Sequence, residues 1–363
     1  MARFVIAHRN DRLGTKLQTV VSAGRIAKKI GAKLLIAWDR KKNSLNTRNI
    51  FSDDFCEPYE EGKSSGNFIS SNLIEEWRPN AKFHEKGVID PAAVKNSEVL
   101  LFDKPAILKF SEESEDEIKN ECISYWNGIP LNRTVTDRLD AFIGTCGLGD
   151  YIGVHIRRGD IVGNIRKLPV DDSERLNRFC TQFLNRFVYD DAYFSAIDEI
   201  REQRKMETGI FLCSDTQSIF KKYIKKYGIG RIAHLDSEFT QQYPDQAALL
   251  DMLLLARTNT IVSGGSYFAQ FAANISHANW IDLRNTYDWR KAIEEARHLI
   301  RERDAHDIGL ISGVLCYQMA RRLRFEKRLA DALDAISMAI DYDHSNSEYK
   351  SLQKNILERK ARH

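Results

Sequence analysis

The sequence predicts an α/β protein, two regions built on parallel sheets followed by an all-helical extension. Three observations carry this. The chain opens with a strand–helix–strand pattern, strand and helix alternate from about 151 to 283, and after about 288 only helical periodicity remains.

At the amino end, Phe4-Val5-Ile6-Ala7 forms the heart of a short strand over 3–8. Residues 15–30 then read as a helix with an apolar stripe at Leu17, Val20, Val21, Gly24, Ile26 and Ala27. Gly31 is a stop signal, since glycine takes the left-handed turn that ends helices. Residues 33–38 are the next strand. Two strands joined through a helix pair in parallel. Between 40 and 135 the pattern weakens. Residues 43–48 and 57–71 are polar and read as loops. The acidic run Glu112, Glu113, Glu115, Asp116 and Glu117 reads as a solvated face at the start of a helix.

The second half is periodic throughout. Strands are expected at 151–156, 209–213, 231–234, 260–263 and 280–283, and helices at 191–204, 218–227, 246–257 and 267–275. This is the pattern of a doubly wound sheet. In the extension, Leu329, Leu333, Ile336 and Ile340 recur at helical spacing. Ala320, Ala332, Ala339 and the turn at 343–346 are spaced like one tetratricopeptide repeat. One repeat cannot bury its own apolar face, so it packs on the body or on a second copy of the chain. A plain helical tail is the alternative. The expected domains are 1–145, 146–290 and 291–363.

Composition narrows the function. The 363 residues carry 54 basic and 51 acidic side chains, a net charge of +3, which points to no nucleic-acid partner. The six cysteines form no CxxC pair and no zinc-type cluster, so buried thiols in a reducing compartment are expected. The opening apolar run is too short for a secretory signal and no stretch is long enough to span a membrane. A cytoplasmic protein is the expectation.

The chemistry concentrates after the strand Tyr151-Ile152-Gly153-Val154, in His155-Ile156-Arg157-Arg158-Gly159-Asp160. Paired guanidiniums at a strand end suit a phosphorylated ligand, because each fork matches phosphate oxygens and stays charged. Gly159 permits close backbone approach. Ligands of open α/β sheets sit outside the carboxyl ends of the strands, where this loop falls. A surface turn with structural ion pairs is the competing reading. Ser214-Asp215 ends a second strand, with helix capping as the plain alternative. Asp251 lies in an apolar helix, where an unpaired carboxylate is costly. Gly264-Gly265-Ser266 precedes a helix amino terminus, a ready anion site.

Four segments together resemble the fucosyltransferase superfamily of α1,2-, α1,6- and rhizobial nodulation fucosyltransferases. They are Arg12-Leu13-Gly14; Gly153 to Asp160; Tyr193-Phe194 with Phe211-Leu212-Cys213-Ser214-Asp215; and Asp251 to Ala256 with Ile261 to Phe268. The resemblance is strongest over 150–285 and visible over 8–40. It implies a GT-B fold, two Rossmann-like domains facing a cleft. It also implies a metal-independent, inverting transfer of fucose from GDP-β-L-fucose to a glycan acceptor, with no cofactor.

By the same resemblance Arg157 holds the donor diphosphate and His155 lies beside it. Arg158 assists or pairs structurally. Asp160 is the expected catalytic base, with Asp171, Asp172 and Glu174 in the following loop as other candidates; the α1,6 branch has a Glu where this chain has Ile165. Ser214, Asp215, Asp251, Gly265, Ser266, Tyr267 and Phe268 are implied on the donor side, and Gly14 faces the diphosphate from the other domain. Tyr267 stands where many relatives carry a second serine. Two other readings stay open: the same fold with another nucleotide sugar, and a silent glycan- or nucleotide-binding protein acting, or self-associating, through its tail.

Overall fold

The computed structural model describes residues 3–9, 11–38, 46–60, 66–69, 81–83, 88–89, 98–103, 107–159, 173–184, 186–204, 208–286, 288–301 and 308–361. β1 (Phe4–His8) leads into α1 (Leu13–Ile30), which returns to β2 (Lys33–Ala37). Gly31 ends α1 in the left-handed conformation, φ 68°, its N–H closing on Ala27 and Lys28 carbonyls, as its residue type dictates. Among the described residues of the weakly patterned region are four short strands: β3 (Ala81–Phe83), β4 (Val88–Ile89), β5 (Val99–Phe102) and β6 (Lys109–Phe110). β5 and β3 extend the first sheet, whose order is β2-β1-β5-β3, all parallel.

The acidic run enters α2 (Glu115–Asn127), capped by Ser114. One part of the expectation is corrected here: Glu113 is not on a solvated face. It is buried and ion-paired with Arg25 of α1 at 2.8 Å, and Lys29 joins the pair. Burial alone would raise its carboxyl. Hydrogen bonds from Arg25, Lys29 and the Phe110 N–H outweigh burial and hold it down at about 2.

α3 (Arg133–Cys146), which the sequence reading missed, spans the expected boundary at 145/146. β7 (Ile152–Ile156) then opens the second sheet. α4 (Ser173–Leu184) was also missed; Glu174 lies in its first turn rather than in a loop. The chain continues through α5 (Asp190–Arg204), β8 (Ile210–Ser214), α6 (Gln217–Tyr227), β9 (Ile232–Ala233), α7 (Ser237–Gln242), α8 (Pro244–Leu255), β10 (Thr260–Ser263), α9 (Tyr267–Asn274) and β11 (Asn279–Asp282). The second sheet runs β11-β10-β7-β8-β9 and is also all parallel. Its three central strands, β10, β7 and β8, are almost wholly buried, as parallel strands covered on both faces must be, and are mostly apolar.

The two halves share one core. Trp126 of α2 meets Phe271 of α9 edge-on, ring centroids 5.0 Å apart, and Asn274 donates to Gln18 of α1 at 3.0 Å. The extension comprises α10 (Trp289–Arg301), α11 (Ile308–Phe325), α12 (Leu329–Tyr342) and α13 (Ser347–Lys360). Ala332, Ile336 and Ala339 are buried in a cluster with Cys180, Phe183 and Leu184 of α4. The α12 face is therefore covered by α11, and α11 in turn packs on α4 of the body. All six cysteines are free thiols, five of them buried. Among the described residues no helix is long and apolar enough to cross a membrane.

Candidate active site

Parallel strands deliver their following loops to one edge, so the ends of β7, β8, β10 and β11 converge. An open cavity of about 590 Å³ lies there, lined by His155 and Arg157 after β7, by the Gly264–Tyr267 turn after β10, and by Tyr193, Arg186 and Arg284. A second, of about 870 Å³, sits at the ends of β8 and β9. Ser214, Asp215, Phe220, His234 and Asp251 are among its walls.

Asp215 ties the two regions together. Its Oδ1 accepts from the backbone N–H of Arg158 at 2.8 Å and of Gly159 at 2.9 Å. A carboxylate at the end of β8 thus fixes the loop after β7. Ser214 makes only a local turn, its hydroxyl accepting from Thr216 N–H at 3.2 Å. The adjacent arginines part company. Arg157 lines the first cavity. Arg158 turns inward, donating to Asp190 Oδ1 at 2.8 Å and to the Val188 carbonyl, with its guanidinium over the Phe187 ring. Of the two roles the sequence left open for Arg158, this geometry is that of the structural pair.

His155 is buried and its ring stacks on Phe268, centroids 4.7 Å apart and nearly coplanar in tilt at 12°. Burial lowers its pKa to about 4; the Asp215 charge opposes this and the Arg157 charge adds to it. The imidazole is neutral at pH 7. Its buried Nδ1 has no hydrogen-bond partner among the described residues. Tyr193, quoted in the sequence motif but given no role there, holds this strand end by donating from its hydroxyl to the His155 carbonyl at 3.3 Å.

Two helix amino termini meet beside this cavity. Ser266 caps α9, its hydroxyl accepting from Phe268 N–H at 3.1 Å. α1 starts at Leu13 with no side-chain cap from Arg12. A Cβ on Gly14 would stand 3.0 Å from the Phe268 Cα and 3.1 Å from its nitrogen. Glycine is what lets the two termini touch. Each carries roughly half a positive charge, so their junction is unfavourable unless an anion lies near it. Gly265 makes the turn at φ 72°, and a Cβ there would collide with the Arg284 guanidinium. Tyr267 is 47% exposed at the cavity edge.

In the second cavity Asp251 is half-buried on α8. Burial raises its carboxyl to about 7, against a smaller opposing hydrogen bond from the Cys213 thiol. His234 is held by the Leu235 carbonyl at 2.8 Å and packs on Phe220.

The structure therefore brings His155, Arg157, Gly265, Ser266 and Tyr267 to one cavity, and Ser214, Asp215 and Asp251 to its neighbour. Gly14 and Phe268 are behind the first. Asp160, Ile165, Asp171 and Asp172 lie outside the described residues. Glu174 is exposed and pairs with Arg178 at 3.2 Å. The sequence reading missed Arg186 and Arg284. Arg284 had a signal available, since it follows a strand end directly. Arg186 had none, because it sits in an aperiodic link between α4 and α5. Among the described residues no three His, Cys, Asp or Glu side chains form a group that could hold a metal ion.

No family model and no curated protein matches the chain. Solved structures similar to it include NodZ α-1,6-fucosyltransferase soaked with GDP-fucose, a protein crystallised from Bradyrhizobium. It is 18% identical, with 76% of this chain and 93% of that one covered and a TM-score of 0.44. A mutant of Arabidopsis thaliana FUT1 in complex with GDP is 11% identical, covering 77% and 70%, TM-score 0.44. POFUT1 in complex with GDP is 12% identical, covering 76% and 96%, TM-score 0.40.

Proposed function

We propose that the protein is an inverting glycosyltransferase of the fucosyltransferase superfamily. In this reading it has a GT-B arrangement of the two sheet regions and moves L-fucose from GDP-β-L-fucose to a glycan hydroxyl without a metal. The observation that carries the reading is the meeting of two helix amino termini at Gly14 and Phe268, beside a cavity walled by Arg157. That arrangement is electrostatically unfavourable alone and favourable around a diphosphate. The four-segment resemblance supplies the sugar and the nucleotide.

The chemistry follows from the charges. As the bond from the fucose C1 to the β-phosphate oxygen breaks, its electron pair moves onto the GDP leaving group. Arg157 and the two helix termini stabilise that growing charge. Neutral His155 offers a hydrogen bond rather than a second cation. The acceptor oxygen attacks C1 from the opposite face, forms the new bond and loses its proton to a carboxylate, a role proposed for Asp160. Guanine suits the second cavity, where the Asp251 carboxyl can meet its N1 and N2 donors.

The test is purified protein with radiolabelled GDP-fucose and a glycan panel, in excess EDTA, against UDP-sugars as competitors. Expected are GDP binding, labelled glycan, and no competition from UDP-sugars. Activity that requires manganese would remove the metal-free mechanism, and no affinity for GDP would remove the donor.

A further inference from the structure

One side chain of the helical extension reaches the wall of the first cavity. Arg322, on α11, has a side chain only 15% exposed. Its Nη1 donates to the Leu184 carbonyl at 3.2 Å, and its Nη2 donates to the Arg284 carbonyl at 2.8 Å. Its Nε donates to Glu326, one turn on, at 2.7 Å. Leu184 ends α4, two residues before Arg186; Arg284 is itself a wall residue. The two segments that bring the cavity its arginines from outside the His155–Gly159 loop are thus fastened to a single guanidinium.

The fastening continues inward. The Arg284 guanidinium hangs on Asp282, with Nε 3.0 Å from both carboxylate oxygens, and lies directly over Gly265. Gly265 makes the turn that starts α9. The path therefore runs from Arg322 to the Arg284 backbone, from its side chain to Gly265, and so to the amino terminus of α9. A planar fork suits this position, because two N–H groups on one rigid plane can serve two carbonyls at once. A lysine ammonium supplies the charge without that fixed geometry. The general packing of the extension rests on other groups, apolar contacts such as Ile336 and the Gln318–Asn177 hydrogen bond at 2.7 Å.

We propose that Arg322 is a positioning residue of the cavity, so that the helical extension sets the geometry of the anion site. The proposal rests on the reading above only for the identity of the ligand. The test compares R322A, R322K and I336A with the wild-type full chain. Readouts are amide hydrogen exchange without ligand, GDP affinity by calorimetry, and melting temperature. R322A is expected to speed exchange at 183–186 and 283–286 and to weaken GDP at least fivefold, with R322K recovering only part of that loss. I336A, which opens a cavity in the tail core, is expected to lower the melting temperature as much or more while GDP affinity stays within twofold. Wild-type exchange and affinity in R322A would overturn the proposal. So would an I336A variant that loses GDP as strongly as R322A, since the effect would then be one of general stability. If the wild type binds no GDP, the donor reading fails and the exchange measurement alone decides the positioning role.

Discussion

Replacing Asp251 with asparagine should make the protein more stable and less able to bind nucleotide, and the stability gain should depend on pH. The native carboxyl titrates near 7, raised by burial, against about 3.9 for an unfolded aspartate. A group whose folded pKa is raised carries no penalty below the unfolded value and progressively costs stability as pH rises to the folded value. The gap of roughly three units, at ~1.4 kcal/mol each, sets an upper bound of about 4 kcal/mol above pH 7. Asp251 keeps some contact with solvent, which reduces this to about 2–3 kcal/mol. Asparagine has the same shape and no charge. Urea unfolding of D251N and wild type should therefore differ by about 2–3 kcal/mol at pH 8, by less at pH 5.5 and by nearly nothing at pH 4. GDP titration of the same samples should show at least tenfold weaker binding, because an amide cannot accept both guanine donors. A D251N protein less stable at pH 8, or equally shifted at every pH, would refute the argument that burial of the charge is what the site pays.

Three further outcomes follow from the same geometry. R157A should lower turnover by 10²–10³, about 2.7–4 kcal/mol of barrier, with an unchanged circular dichroism spectrum; R157K with near wild-type turnover would count against the diphosphate role. G265A should raise the Kd for GDP and lower the melting temperature, since alanine at φ 72° costs about 1–2 kcal/mol and its Cβ displaces Arg284. E113Q should destabilise by about 1.5–3 kcal/mol at pH 7, because buried Arg25 loses one charged partner and keeps only the half-exposed Glu121 carboxylate at 2.5 Å. The Glu113 carboxyl is held at about 2, so its contribution is full above the unfolded value of about 4.3 and fades as pH falls towards 2. The gap between E113Q and wild type should close over that window in acid unfolding curves.

What could be read without coordinates was local. The first helix and its glycine stop, the strands at β7, β8 and β10, and the Gly264–Ser266 turn all announce themselves through residue types a few positions apart. The same locality exposed His155 and Arg157, because a charged loop after an apolar strand is a pattern within one short segment. Boundaries shifted by a residue or two, and β3 to β6 went unseen because strands of two to four residues show too little alternation to register. Tertiary structure alone decided where side chains spend their charge. Arg157 and Arg158 are identical neighbours in sequence; only the fold turns one to the cavity and the other onto Asp190. Glu113 looks like its acidic neighbours until Arg25, 88 residues away, buries with it. The apolar face of α12 called for a cover, and only the fold shows that α11 provides it and that α11 docks on α4, a helix the sequence reading did not find. Ion pairing and burial are properties of distance in space. A residue's type specifies what it needs, and only the folded chain specifies what stands beside it.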